Sequence, residues 1–307
     1  MRVAAIDIGT NSVLLLVAEL VGDRLEARAD EATITRLGEG VDATGRLKRE
    51  AVERTLDCLR DTAERVRAEH VDRLAVVATS ALRDAEQAEP FLDRAASLLG
   101  QRPRVISGDD EAVLTFEGAL GGLGLSPGSV AVVDLGGGST ELIVGETSTH
   151  GVRRIGATTS LALGSVRLSE RHLRHDPPLE TELDAVRLDA RQALARAPSL
   201  ESMPLVGVAG TVTSLAALVH QVVPYDHSRI HGSRLSRQSL ETERERLASM
   251  PLAVRLRLPA LEPRRADLIV AGAVLLEEIV RFARASEVVV SDRGVRWGLA
   301  ERLVLGR

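Results

Sequence analysis

The sequence predicts an α/β protein built from two related lobes, and three features carry that prediction. Short β-branched runs alternate with helical patterns along the chain. A strand ending in Asp-x-Gly that turns straight into a second strand occurs at Asp7-Ile8-Gly9-Thr10-Asn11-Ser12, and again 127 residues later at Asp134-Leu135-Gly136-Gly137-Gly138-Ser139-Thr140. Between the two copies, Gly121-Gly122-Leu123-Gly124-Leu125-Ser126-Pro127-Gly128 gathers turn formers and marks a boundary near Gly124. With 307 residues and 44% apolar content the chain can bury two cores. The expected division is 1–125, completed by a C-terminal helix at about 293–307, and 126–292.

Taken from the N-terminus, strands are expected at Val3 to Ile8, Val13 to Leu20 and Leu74 to Ala78 in the first lobe. The second lobe offers Val130 to Val133, Leu142 to Val144, Leu205 to Val208 and Val288 to Val290. The clearest helix places Val52, Leu56, Leu59, Ala63 and Val66 at steps of four and three, which gives one apolar face. Leu268 to Phe282 is apolar nearly all round and is expected to be a deeply buried helix.

Composition narrows the function classes. A formal charge of −5 argues against general nucleic-acid binding, which shows as a basic patch or a high pI. Lys48 is the only lysine, so 38 of the 39 basic residues are arginine, a compositional bias that says little about function. The N-terminus, Met1-Arg2-Val3-Ala4-Ala5-Ile6-Asp7, has no signal-peptide pattern, and no apolar run approaches the roughly 20 residues of a spanning helix. The single cysteine, Cys58, falls in a predicted helix as a half-buried packing residue and permits no internal disulfide. The expectation is a cytoplasmic protein with neither nucleic-acid nor membrane partners, whose anionic ligand would be held locally.

An Asp-x-Gly hairpin supplies a carboxylate, glycines that tolerate unusual backbone angles, and a row of backbone N–H groups. Such a turn can wrap a phosphate, with Gly9, Thr10, Asn11 and Ser12 in the first copy and Gly136, Gly137, Gly138, Ser139 and Thr140 in the second. The carboxylate can hold Mg²⁺ directly or through water, and Mn²⁺ fits the same donors. A single copy is a common structural turn; two copies at the heads of two half-chains point to a binding site. A third glycine turn, Ala209-Gly210-Thr211-Val212-Thr213-Ser214, follows an apolar strand and opens a helix, placing N–H groups of Gly210 and Thr211 where an anion could sit. His172 with His175, and His227 with His231, have spacings seen in metal sites but lack the other ligands of a tetrahedral set. His175-Asp176-Pro177-Pro178 reads as a turn.

This ordered set resembles the actin, Hsp70 and sugar-kinase superfamily. More specifically, Ala78-Thr79-Ser80-Ala81-Leu82-Arg83, Ile106-Ser107-Gly108-Asp109-Asp110-Glu111-Ala112, the second hairpin through Glu141, His231-Gly232, Arg265-Ala266-Asp267 and Val290-Ser291-Asp292-Arg293-Gly294-Val295-Arg296-Trp297-Gly298 resemble the exopolyphosphatase and guanosine pentaphosphate phosphatase family. The resemblance runs in order over nearly the whole chain. It implies two ribonuclease-H-like (actin-like ATPase) lobes, each with a mixed five-stranded sheet, and a cleft between them. It also implies that Glu111 positions the attacking water, with Asp110 as the fallback, that Asp7, Asp134 and Glu141 hold Mg²⁺ and its water shell, and that Arg83 reaches the phosphates. A homodimer is implied as well.

Two departures from that family stand out. Longer relatives carry additional C-terminal helical domains, so the ending at Arg307 favours short polyphosphate chains over processive action on long ones. Thr10 replaces a common serine and keeps the hydroxyl. The resemblance leaves polyphosphate and guanosine pentaphosphate both open as substrates. The rival readings are a small-molecule kinase of the same fold and a non-catalytic sensor that binds polyphosphate or an alarmone.

Overall fold

The computed structural model describes residues 1–22, 24–148 and 151–306. Two compact units account for the chain: Met1–Gly118 together with Val295–Arg307, and Ala119–Gly294. The glycine-rich segment from Gly121 to Gly128 lies just inside the second unit.

In the first unit, β1 (Arg2–Ile8), β2 (Ser12–Val21) and β3 (Arg24–Ile34) form an antiparallel meander. Then follow α1 (Val41–Thr44), α2 (Arg49–Ala68), β4 (Arg73–Ala78), α3 (Ser80–Asp84), α4 (Glu89–Leu99), β5 (Arg104–Val105) and α5 (Gly108–Ala119). The sheet order is β3-β2-β1-β4-β5, with β4 parallel to β1 and β5 parallel to β4. Both faces of β1 are buried, which is why its sequence is a continuous apolar run. On one face Ala4, Ile6, Ile8, Val13 and Leu15 meet Leu56, Leu59 and Ala63 of α2 and Phe91 and Leu92 of α4. On the other, Val3, Ala5, Leu16 and Val77 meet Ile106, Leu114 and the C-terminal residues Val295, Trp297, Leu299 and Ala300.

The second unit repeats the plan with β6 (Gly128–Leu135), β7 (Thr140–Ser148), β8 (Gly151–Leu161), α6 (Ser165–His172), α7 (Glu180–Leu194), β9 (Leu205–Val208) and α8 (Ala209–Val219). It continues through α9 (His227–Ile230), β10 (Arg234–Ser236), α10 (Arg237–Ser249), α11 (Leu252–Arg255), α12 (Ile269–Phe282) and β11 (Glu287–Val290), before α13 (Val295–Leu305) returns to the first unit. Its sheet has six strands in the order β10-β11-β9-β6-β7-β8, not the five expected. The extra strand is β10, three residues antiparallel to β11, in which Leu235 alone is buried, so no apolar run announces it.

Helix α12 is buried along almost its whole length, as its all-round apolar pattern predicts. The two acids it carries inward, Glu277 and Glu278, are met by Arg244, Arg191 and Arg281. This neutralisation is what allows buried carboxylates in an apolar helix. The turn at His175-Asp176-Pro177-Pro178 is structural: Asp176 accepts from the backbone N–H of Leu252 at 2.8 Å and pairs with buried Arg255 at 3.3 Å. Cys58 is half-buried on α2, and burial raises its thiol pKa, which keeps it a thiol.

Candidate active site

The two hairpins have the same backbone. Gly9 N–H donates to the Ser12 carbonyl at 2.9 Å, and Gly136 N–H donates to the Ser139 carbonyl at 3.0 Å, the same bond 127 residues on. In the second unit the carbonyls of Gly136 and Gly137 accept from the first N–H groups of α6, at 3.0 Å from Ser165 and 2.9 Å from Val166. The Gly138 carbonyl accepts from Arg167 Nε at 2.8 Å. Three successive carbonyls thus face α6. Since the N–H of a trans peptide points opposite to its C=O, the N–H groups of Gly137, Gly138 and Ser139 are turned together to the other side. Such a row can cradle an anion. In the first unit the carbonyls of Thr10 and Asn11 accept in the same way from Gly38, Thr35 and Arg36, so the N–H groups of Asn11 and Ser12 are turned outward.

Each cradle is backed by a glycine that the sequence reading passed over. A Cβ on Gly38 would stand 2.3 Å from Thr10 Cγ2, and one on Gly164 would stand 2.3 Å from the Gly137 carbonyl oxygen. No side chain fits behind either loop, but the need arises in space and leaves no local mark in sequence.

Asp134 and Glu141 are direct cross-strand partners on β6 and β7. Facing residues of an antiparallel pair lie on one side of the sheet with Cβ atoms about 5 Å apart, so the two carboxylates share one place. Asp134 is 8% exposed and Glu141 1%. Glu141 also accepts from Ser160 Oγ at 2.7 Å, from its partner position on β8. Mg²⁺ takes one or two carboxylates and fills its remaining positions with water and phosphate oxygens, and this buried facing pair fits that demand. Among the described residues no three metal-ligating side chains come together, so a cation would rely on water and ligand oxygens to complete its shell. Thr140, expected to offer a hydroxyl to phosphate, spends it on the Leu163 carbonyl at 2.7 Å, leaving its backbone N–H for the turn.

In the first unit Asp7 closes β1 on the face that carries Val3 and Ala5, and α5 covers that face through Leu114. Glu111 lies one helical turn before Leu114, on the same side of α5. It is 7% exposed, whereas Asp109 and Asp110 are exposed. Ser107 caps α5, accepting the Asp110 N–H on its hydroxyl at 3.1 Å. Arg83, on α3 after β4, donates through Nη1 both to Glu111 Oε2 at 3.1 Å and to the Ile106 carbonyl at 2.9 Å. The structure therefore brings Arg83, expected on phosphate, to the carboxylate. Asn11 is 9% exposed, and its Oδ1 has no hydrogen-bond partner among the described residues. A buried acceptor left open in this way costs free energy unless a ligand or water meets it.

The third turn follows β9, whose Val208 lies beside Asp134 in the sheet, so Gly210 opens α8 next to the second hairpin. The Thr211 side chain turns inward: a Cβ on Gly272 of α12 would stand 2.6 Å from Thr211 Cγ2. Only its backbone can serve an anion. The Arg265 guanidinium occupies the space over Gly210, where a Cβ would stand 1.4 Å from Nη1. Burial lowers the Arg265 pKa, although nearby Tyr225, Glu262 and Asp292 favour its charge. It remains charged at neutral pH and donates no side-chain hydrogen bond to any described residue. The Arg265-Ala266-Asp267 motif was visible in sequence; that its arginine caps the third turn was not.

The histidine pairs do not converge. His172 bonds Asp189 at 2.8 Å while His175 bonds Glu182 at 2.9 Å. His227 bonds Asp292, whereas His231 bonds the Gly121 carbonyl at 2.9 Å.

Comparison with known proteins shows the family and the fold. Residues 16–306 match the Ppx/GppA phosphatase family. The chain is 40% identical to Exopolyphosphatase 2 of Mycobacterium tuberculosis over 97% of each. It is 31% identical to a guanosine-5'-triphosphate,3'-diphosphate pyrophosphatase of Vibrio atlanticus, over 98% of this chain and 59% of that one. Among solved structures, an exopolyphosphatase-like protein superposes with TM-score 0.92 at 35% identity, covering 99% of this chain and 98% of that one. A family member from Aquifex aeolicus does so with TM-score 0.83 at 32% identity, covering 100% and 98%. These neighbours share the two-domain actin-like fold.

Proposed function

The chain belongs to the Ppx/GppA phosphatase family, and from that premise we propose that it is an exopolyphosphatase releasing orthophosphate from the end of inorganic polyphosphate. The observation that carries the mechanism is Glu111: a buried carboxylate at the start of α5, held by Arg83 at 3.1 Å. A carboxylate fixed in this way can accept a hydrogen bond from water and aim its lone pair at phosphorus. Phosphoryl transfer asks mainly for such in-line placement and for neutralised charge.

Each hairpin's outward N–H row offers donors to phosphate oxygens, and within the second unit Arg265 adds a guanidinium fork at the third turn. Asp134 and Glu141 would hold Mg²⁺ or Mn²⁺, which when bound neutralises charge on the phosphate oxygens. Polyphosphate is preferred to guanosine pentaphosphate because the chain is 40% identical to the exopolyphosphatase relative and 31% identical to the guanosine pyrophosphatase relative. No helix in the described residues is long and apolar enough to cross a membrane; a cytoplasmic homodimer is the form carried over from the family resemblance.

The test is orthophosphate release by purified protein with Mg²⁺ or Mn²⁺, supplied with short polyphosphate, long polyphosphate, guanosine pentaphosphate or ATP. Glu111→Gln is run beside the wild type. Release from short polyphosphate that falls about 100-fold or more in the variant is the expected result. ATP consumption that requires a hydroxyl acceptor would identify a kinase instead. Tight binding of these anions by wild type and variant alike, with no release from either, would identify a sensor.

A further inference from the structure

Each hairpin lies beside a parallel strand that ends in a turn into a helix, and the two turns correspond by register. Asp7 pairs with Val77 of β4 and Asp134 with Val208 of β9, so two residues further on Thr79 stands in the first unit where Gly210 stands in the second. The Arg265 guanidinium fills the space over Gly210. Thr79 brings a hydroxyl of its own. It is 4% exposed, and a Cβ on Gly9 of the first hairpin would stand 3.9 Å from its Oγ1. A Cβ on Gly136, the matching glycine of the second hairpin, would meet only the Ser139 carbonyl within 4 Å.

The backbone of Thr79 is fully engaged. Its N–H donates to the Ile8 carbonyl at 3.1 Å, and its carbonyl accepts from the N–H groups of Leu82 and Arg83, both at 3.1 Å. A threonine at a helix N-cap ordinarily turns its hydroxyl onto the first N–H groups of the helix. Thr79 makes no such bond, and its hydroxyl is bonded to no other described residue. A buried hydroxyl left in this state costs free energy unless a ligand or water meets it. We propose that Thr79 is a substrate-binding residue of the first hairpin, its hydroxyl donating to a phosphate oxygen held there, the task that Arg265 has at the corresponding turn of the second unit. This rests on the phosphatase reading above. A hydroxyl suits the place because it carries one donor that rotates to follow the oxygen. No bond is made or broken at Thr79.

The experiment titrates inorganic phosphate into the full-length protein by calorimetry, alongside steady-state hydrolysis of short polyphosphate, for wild type, Thr79→Val and Thr79→Ser. Valine keeps the shape and removes the hydroxyl; serine keeps the hydroxyl and removes the methyl. Thr79→Val should weaken phosphate binding about tenfold or more, as expected for a lost hydrogen bond to a charged group, and should lower kcat/KM in the same direction. Thr79→Ser should stay within about threefold of wild type in both. Thr79→Ala takes the place of the valine variant if that one melts at a lower temperature. A valine variant that binds phosphate within about twofold of wild type would overturn the inference, and serine and valine variants equally weakened would reduce Thr79 to a packing residue. Hydrolysis that is indifferent to Thr79 would overturn the inference and leave the phosphatase reading standing. Phosphate binding that depends on the hydroxyl in a protein that releases no phosphate would do the reverse.

Discussion

Arg83 donates to two acceptors, a carbonyl and a carboxylate, and the pair of hydrogen bonds supports a positioning role under the proposed function. One guanidinium nitrogen serves both the Ile106 carbonyl and Glu111, which ties the end of β4 to the start of α5. In that reading Arg83 would set the rotamer of Glu111 and balance its charge in a partly buried place, where removing one partner leaves the other charge exposed to the full cost of burial. A residue that binds substrate equally in ground and transition states changes KM, whereas one that aligns a nucleophile changes kcat. Arg83→Ala is therefore expected to lower kcat about 10- to 100-fold with KM within about threefold of wild type. Arg83→Lys, a point charge without the planar fork, should recover only part of the loss. A variant with normal kcat and a greatly raised KM would instead make Arg83 a phosphate ligand.

At the scale of elements, the segments where the chain passes between units are clasped inside the second unit. The Ser291 hydroxyl donates to the Ala119 carbonyl at 2.7 Å, and His231 donates through Nε2 to the Gly121 carbonyl at 2.9 Å while its Nδ1 accepts from the Asp292 N–H at 3.3 Å. Both ring nitrogens are committed to a neutral imidazole. Burial first, and then the charge of Arg293, hold the His231 pKa below its ordinary value. The unfolded chain then takes up a proton near pH 6.5 that the folded chain refuses. Stability from this group is present above that pH and is lost as pH falls toward the folded value. The midpoint of thermal unfolding should accordingly drop between pH 7.5 and 5.5, and the drop should be smaller in His231→Gln; equal slopes in the two proteins would remove His231 from the account.

The same scale shows what the sequence could and could not disclose. β1, β6 and β9 are sandwiched strands whose apolar runs are visible in one dimension. β3, Arg-Leu-Glu-Ala-Arg-Ala-Asp-Glu-Ala-Thr-Ile, is an edge strand, mostly exposed, and only its pairing with β2 makes it a strand. Asp134 and Glu141 were legible as two acids on one hairpin; that they face each other comes from the register of β6 and β7. The packing of Gly38, Gly164 and Gly272 was not, since each fits a partner remote in sequence. Glu111 was recognisable from its motif alone; its burial and its arginine follow from the fold.

For the whole molecule, the dependence of the first unit on the last residues of the chain is the property most open to test. Helix α13 supplies Val295, Trp297, Leu299 and Ala300 to one of that unit's two cores. A Cβ on Gly298 would stand 2.1 Å from the Leu114 carbonyl oxygen, so α13 packs directly on α5, the helix that carries Glu111. Asp30 of β3 fastens it from the other side, accepting from Arg296 Nε at 2.7 Å and from Trp297 Nε1 at 3.2 Å. Three large apolar side chains at about 1.5–3 kcal/mol each approach the entire stability of an ordinary domain, about 5–15 kcal/mol. Deleting residues 295–307 should therefore unfold the first unit and abolish hydrolysis even though no hairpin residue is touched. Asp30→Ala is the graded version: it leaves Arg296 buried without its carboxylate, at a cost of about 3–5 kcal/mol. Trp297 is the only tryptophan, so its fluorescence reports on this unit alone. In urea the fluorescence transition of Asp30→Ala should move to lower denaturant, while the part of the far-ultraviolet dichroism change that belongs to the second unit stays in place. If both transitions move together by the same amount, the two units unfold as one cooperative body and α13 stabilises the whole chain rather than the first unit.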